Sequence, residues 1–174
     1  MADVVLMHPT LEHEPEFLAA VARSWRLHRP WVSPPSTPAA FREYLAKAGA
    51  ERTIAHLVRH RDGGLVGVIN VSEIVRGVFQ SAYLGYYAFE PFAGRGLMRQ
   101  AMALAISEAF RRHRLHRLEA NIQPDNVASR ALVQRLGFEL EGFSPRYLKI
   151  GGRWRDHERW AVRAETWRPR ATGC

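Results

Sequence analysis

Cysteine is almost missing from this chain. The only one is Cys174, the last residue. That excludes an internal disulfide and a cysteine-held metal, and it leaves no cysteine placed to act as a nucleophile. It also fits a reducing compartment, so the expected location is the cytoplasm. No apolar run approaches the roughly 18 residues of a membrane span. Met1-Ala2-Asp3 lacks the basic-then-apolar pattern of a signal peptide, so no membrane partner is expected. The 8 histidines show no His-x-x-x-His spacing on a helix, and no metal is expected. Repeats, linkers and low-complexity segments are absent too.

What is there has the make-up of a soluble globular protein. The chain has 174 residues, 47% hydrophobic and 24% charged, which suits one domain over residues 1–174. The net charge is +8, almost all of it arginine spread along the chain. Such a surface favours polyanions: a phosphorylated cofactor, RNA or a ribosomal neighbourhood. The same charge also arises where arginine-rich usage merely keeps a protein soluble.

Apolar periodicity orders the elements. Val4–Met7 predicts a first strand. Phe17, Leu18, Val21 and Trp25 predict an amphipathic helix over residues 14–25. Trp31-Val32-Ser33-Pro34-Pro35 interrupts it with an ordered loop. Ser36 or Thr37 can cap a second helix that runs to Ala48 and stops at Gly49. Residues 53–59, the turn Asp62-Gly63-Gly64 and residues 65–75 read as a hairpin. Gly77 leads into a third strand of this meander, ending at Phe89. A helix over 97–110 buries Met98, Met102, Ala105, Ile106, Ala109 and Phe110 along one stripe. A strand over 117–122 follows, then a helix capped by Asp125 or Asn126 and closed by Gly137. A strand opening at Phe138 turns at Gly151-Gly152 into a last strand over 153–163. The class is α+β.

Glu90-Pro91-Phe92-Ala93-Gly94-Arg95-Gly96-Leu97-Met98 sits where a strand gives way to the long apolar helix. Backbone N–H groups in such a turn, with the free first N–H groups of the helix, make an anion site. Gly94 and Gly96 let a phosphate approach with no Cβ in the way. A P-loop is excluded because no lysine follows. A dinucleotide fingerprint is excluded because its third glycine position is Arg99. On the glycines alone, a backbone-held anionic ligand and a tight turn that binds nothing both remain open.

Further motifs narrow the choice. They are Leu84-Gly85-Tyr86, Gly94-Arg95-Gly96-Leu97-Met98, His116-Arg117, Ala120-Asn121, Asn126-x-x-Ser129, Leu136-Gly137-Phe138 with Glu141-Gly142, and Tyr147-Leu148 with Gly152-x-Trp154-Arg155-Asp156-His157. As a set, covering about half of the chain, they resemble the GNAT acetyltransferases, in the RimJ/RimL-like branch that acetylates ribosomal-protein N-termini. The last motif is closest to the branch acting on the N-terminal alanine of ribosomal protein uS5. The resemblance implies a GNAT fold: a splayed, mixed, mostly antiparallel sheet flanked by helices. It implies acetyl-CoA, with CoA as product, wedged between the strand ending at Phe89 and the strand over 117–122. Cofactor contacts would fall on Tyr87, Ala88, Phe89, Ala93, Gly94, Arg95, Gly96, Leu97, Met98, Asn121, Asn126 and Ser129. The family's glycine motif usually opens with Gln or Arg and closes with Gly or Ala. Here those positions are Ala93 and Met98, so the pyrophosphate would rest on backbone. A backbone N–H near Phe89 would hold the thioester carbonyl as an oxyanion hole does.

By the same resemblance Ser129 stands near the sulfur and protonates the leaving thiolate. The plainer reading is a first-turn serine bonded to its own backbone. Some relatives carry an acid where this chain has Arg146, so that base does not transfer. Asp156 is the substitute candidate. Alternation puts it on one face with Trp154, Trp160 and Val162, and puts Arg153, Arg155, His157 and Arg159 on the other. An acid on an aromatic face could anchor the acceptor's ammonium or orient a water, or simply fix the hairpin. Trp31, Tyr86, Tyr87 and Tyr147 are candidates for the acceptor groove or for core. An α-amine, with a pKa near ~8, is about a tenth neutral at pH 7, whereas lysine at ~10.4 is not. The expected activity is therefore acetyl transfer to a protein N-terminal amine, by direct attack. Two alternatives are a small amine acceptor (polyamine, antibiotic or amino-acid derivative) and a non-catalytic acetyl-CoA-binding ribosome-assembly factor. Association with the ribosome is a further expectation of the basic face; no oligomeric state is indicated.

Overall fold

The strands are β1 (Val4–Met7), β2 (Ile54–His60), β3 (Leu65–Val75), β4 (Ser81–Ala88), β5 (Arg117–Ile122), β6 (Glu139–Ile150) and β7 (Arg153–Arg163). The computed structural model describes residues 3–29 and 31–168. Cys174, on which the cysteine argument rests, lies outside them. The strands form one 7-stranded sheet in the order β1-β2-β3-β4-β5-β7-β6. All pairings are antiparallel except β4 with β5. This is the mixed, mostly antiparallel sheet that the resemblance implies.

Helices cover both faces, because β2 and β3 are apolar on both. Leu57, Leu65 and Val68 turn towards Phe17 of α1 (Glu14–Arg23) and Phe41 of α3 (Pro38–Ala48), with Phe89 in the same cluster. A short helix, α2 (Trp25–His28), lies between α1 and α3 in the chain. Val58, Val66 and Ile69 turn the other way. They meet Met102 and Ile106 of α4 (Leu97–Arg111), in a cluster that also holds Val133 of α5 (Val127–Arg135). Burying Phe17 and Phe41 fully stabilises the first layer by about 2 kcal/mol or more per ring.

Two of the boundaries that differ from expectation matter for the cleft. The first helix does not run through Trp25. It stops at Arg23, and Ser24 separates it from α2. The cause is a tertiary tie to the end of β4. The Glu90 N–H donates to Ser24 Oγ (2.9 Å), and Arg23 Nε donates to the Glu90 carbonyl (2.8 Å). Trp25 is left 51% exposed, outside the apolar stripe it completes in the sequence. The β4 ladder ends at Ala88 rather than Phe89.

Candidate active site

β4 and β5 pair only over Ser81↔Arg117, Ala82↔Leu118 and Tyr83↔Glu119. Past Tyr83 they part, and a cleft of about 680 Å³ opens between them. One wall is β4, the turn after it and the start of α4. The other is the end of β5, the first turns of α5 and the arm where β6 and β7 run on beyond β5. Residues of α2 and the following loop, Leu27, His28, Trp31 and Val32, close one end.

The first wall is mostly backbone. Gly94 and Gly96 both hold φ near 76°, a left-handed conformation that disfavours side chains. A Cβ built on either would meet no atom within 4 Å, so the hollow beside them is open. Gly96 caps α4 with no side-chain hydrogen bond and no acidic residue follows in the first turn. The free N–H groups of this 15-residue helix therefore point a positive dipole end at the hollow. Ala93, Leu97, Met98 and Arg99 line it as well. Arg95 does not: its guanidinium lies over the Phe92 ring, 5.6 Å from the centroid.

Antiparallel pairing decides which β4 groups face the cleft. The Phe89 N–H donates to the Val66 carbonyl at 2.8 Å, and its ring is fully buried among Phe17, Tyr87 and His28. The Phe89 N–H is therefore already bonded, so Phe89 itself does not fit the oxyanion donor that the resemblance implies near it. Residues alternate along the ladder, so Tyr86 and Ala88 turn their N–H groups to the side β5 has left. Ala88 and Tyr87 both line the cleft.

The second wall works through side chains. The Asn126 side chain caps α5 by accepting from the Ser129 N–H (3.1 Å). That seats Ser129 on the cleft, where its Oγ lies 2.6 Å from the Tyr86 hydroxyl. Burial pushes the Tyr86 phenol up to about 12, although its bond to Ser129 pulls the other way. Asn121 lines the cleft from the end of β5, and its Oδ1 is buried with no hydrogen-bond partner. Arg130 pairs with Glu158 (3.0 Å), and Trp160 Nε1 donates to the same carboxylate (2.9 Å). The ion pair ties α5 to β7, and the Trp160 bond, within β7, fixes the carboxylate that makes it.

Asp156 does not reach the cleft. It is exposed, and its Oδ1 accepts from the Arg146 N–H across the hairpin at 2.8 Å. The alternation is as the sequence has it, but a strand face changes surroundings along its length. Trp160 and Val162 are buried where β7 crosses the core, while Trp154 on the arm is 61% exposed. The opposite face meets the cleft. His157 is buried there, and its Nδ1–H donates to the Arg155 carbonyl (2.9 Å), which leaves Nε2 with the lone pair. The sequence reading passed over His157 and His28, although the Arg153–Arg159 alternation already put His157 opposite Asp156.

The chain is similar to known proteins in sequence and in fold. The family description "Acetyltransferase (GNAT) domain" matches residues 3–139. The [ribosomal protein uS5]-alanine N-acetyltransferase of Escherichia coli is 44% identical over 105 residues, 60% of this chain and 54% of that protein. A probable N-acetyltransferase of Bacillus subtilis is 36% identical over 101 residues, 58% of this chain and 56% of its own. The match thus spans about half the length of these curated relatives. The structure of Mycobacterium smegmatis RimJ in complex with CoA-disulfide superposes with a TM-score of 0.86 at 27% identity, over 93% of this chain and 82% of that one. With the family description covering most of its length, this chain belongs to the GNAT acetyltransferase domain family.

Proposed function

We propose that the chain transfers an acetyl group from acetyl-CoA to the N-terminal amine of a protein, an alanine of a ribosomal protein being the favoured acceptor. The observation that carries this is the pairing, in one cleft, of a glycine turn suited to an anion with a half-buried hydroxyl pair. The name of the Escherichia coli relative supports the choice of acceptor.

The residues present fit the co-substrate. The N–H groups around Gly94 and Gly96, with Arg99 nearby, suit a pyrophosphate. The unpaired Asn121 Oδ1 suits a pantetheine amide N–H, since a buried acceptor without a partner costs free energy. The Ala88 N–H suits the thioester oxygen. The acceptor then enters past Trp31, Tyr87, Leu148 and His157.

In the reaction the neutral amine attacks the carbonyl carbon and a C–N bond forms. The Ala88 N–H stabilises the negative oxygen. The C–S bond breaks, and Ser129 gives its proton to the thiolate. A serine alone would be left as an alkoxide. Tyr86, still protonated because burial raises its pKa, returns a proton to Ser129 in the same movement. The proton shed by the amine goes to His157 Nε2 or to solvent, and Tyr86 regains its proton from solvent as the products leave. No covalent enzyme intermediate is needed.

Thiol release tests this. Acetyl-CoA with a peptide beginning in free alanine is expected to release thiol. Release only with spermidine would assign a small-amine acceptor, and acetyl-CoA binding without any release would remove the catalytic reading.

A further inference from the structure

The edge of β4 past Tyr83 has two kinds of group on it. Within the paired stretch, β5 meets both the N–H and the C=O of each outward-facing residue. At Ala88 β5 has gone, yet the two groups still point the same way. A bare carbonyl there would place negative charge beside the position where the thioester oxygen gains its own.

His28 removes that carbonyl from play. Its Nε2 lies 2.6 Å from the Ala88 oxygen. A carbonyl can only accept, so Nε2 carries the proton and Nδ1 the lone pair. The ring is 3% exposed and sits edge-on to Tyr87 and Phe89, at 5.2 and 5.7 Å. Nδ1 is buried without a partner. An apolar residue would fill this space without an orphaned nitrogen, so packing alone does not account for a histidine. Burial also lowers its pKa, which keeps the ring neutral. The chain is shaped to deliver it: Glu90 holds the end of α1 through Ser24 and Arg23, and the single turn of α2 then brings His28 under Ala88.

We infer that His28 is a positioning residue, capping the Ala88 carbonyl so that the parted edge of β4 offers the thioester an N–H donor with no competing acceptor beside it. This rests on the reading above that the cleft holds acetyl-CoA with its thioester oxygen at the Ala88 N–H.

Two near-isosteric substitutions separate the ring's nitrogens. The amide nitrogen of His28→Gln reaches the place of Nε2; that of His28→Asn reaches only the place of Nδ1. The readout is the carbonyl stretch of acetyl-CoA labelled with carbon-13 at the carbonyl, bound to each protein, alongside kcat and the acetyl-CoA Kd. Wild type and His28→Gln are expected to share a lowered carbonyl frequency and to agree in kcat within about 3-fold. His28→Asn is expected to return the frequency towards its value in water. Its kcat should fall about tenfold, short of the ~10²–10³ that follows outright loss of an oxyanion donor, with Kd within about 3-fold. Thermal melting of both variants identifies any loss due to unfolding. A wild-type frequency and kcat in His28→Asn would overturn the proposal. So would an equal loss of both in the two folded variants, which would give the role to the imidazole as such. A wild-type protein that binds acetyl-CoA with a lowered frequency but releases no thiol would remove the catalytic reading and leave this one standing.

Discussion

The two walls of the cleft are built from different materials. The β4–α4 wall presents backbone N–H groups at Ala88 and around Gly94 and Gly96. The β5–α5–β7 wall presents side chains: Asn121, Ser129 and His157. Backbone donors hold charge and carbonyl oxygen wherever the ladder puts them. Side chains can give and take protons. Damage to the glycine turn should therefore appear in acetyl-CoA binding, and loss of the Ser129 hydroxyl in kcat.

The largest effect is expected from Gly96→Val. A β-branched residue at φ near 76° is strained by about 1–3 kcal/mol, and its Cβ projects into the hollow. The acetyl-CoA Kd, by titration calorimetry, should rise by roughly 10² or more in a protein that still melts cooperatively. An unchanged Kd would detach the glycine turn from the co-substrate. Ser129→Ala should do the reverse. Its kcat should fall by ~10², within the usual span of acid–base assistance, with acetyl-CoA affinity kept. A loss of affinity instead would erase the division between the walls.

That division also governs what could be read from the sequence. The glycine turn was legible because left-handed backbone favours glycine, and two such positions stand one residue apart where a strand meets a helix. Ser129 was legible through the resemblance carried by Asn126-x-x-Ser129, a motif whose cap is local. The misplaced residues all depend on pairing or on distant contacts. Phe89 and Ala88 differ by one position in a period-two ladder, and only the Val66 pairing says which N–H is spent. Asp156 lies on the face that is core at Trp160 but solvent on the arm, at the register shift between Ser144 and Leu148. His28 was invisible, because its place follows from a helix broken by a bond to Glu90, 66 residues away.

Tyr86→Phe sharpens the comparison, since Tyr86 stands on the backbone wall but bonds to the side-chain wall. Its kcat should fall about tenfold with affinity unchanged. The Tyr86→Phe, Ser129→Ala double variant should be no slower than Ser129→Ala alone, as for residues acting as one unit. Additive losses would separate the two hydroxyls. Because the phenol is raised to about 12, it stays protonated across the neutral range. No rate loss from its ionisation is expected between about pH 8 and 10.

The smallest effect concerns the end of the sheet away from the cleft. Arg117 donates to both Glu119 (2.7 Å) and Glu141. Its guanidinium holds the Glu141 carboxyl below the ordinary value. A depressed carboxylate contributes stability above its unfolded pKa and loses it as pH falls through the folded one. Glu141→Gln should thus narrow the difference in melting temperature between pH 7 and pH 3. The loss at neutral pH should be under about 1 kcal/mol for a pair partly open to water, with kcat unaltered. A changed kcat would mean that the far end of the sheet reaches the cleft.

The most direct measurement uses one peptide that begins with a free alanine and also carries an internal lysine. It is incubated with the protein and acetyl-CoA from about pH 6 to 9, and the acetylated position is mapped by mass spectrometry. Acetyl on the α-amine alone is expected, at a rate that rises with pH and levels near the α-amine pKa of ~8. Acetyl on the lysine, or none on a peptide offered to a protein with acetyl-CoA bound, would contradict it.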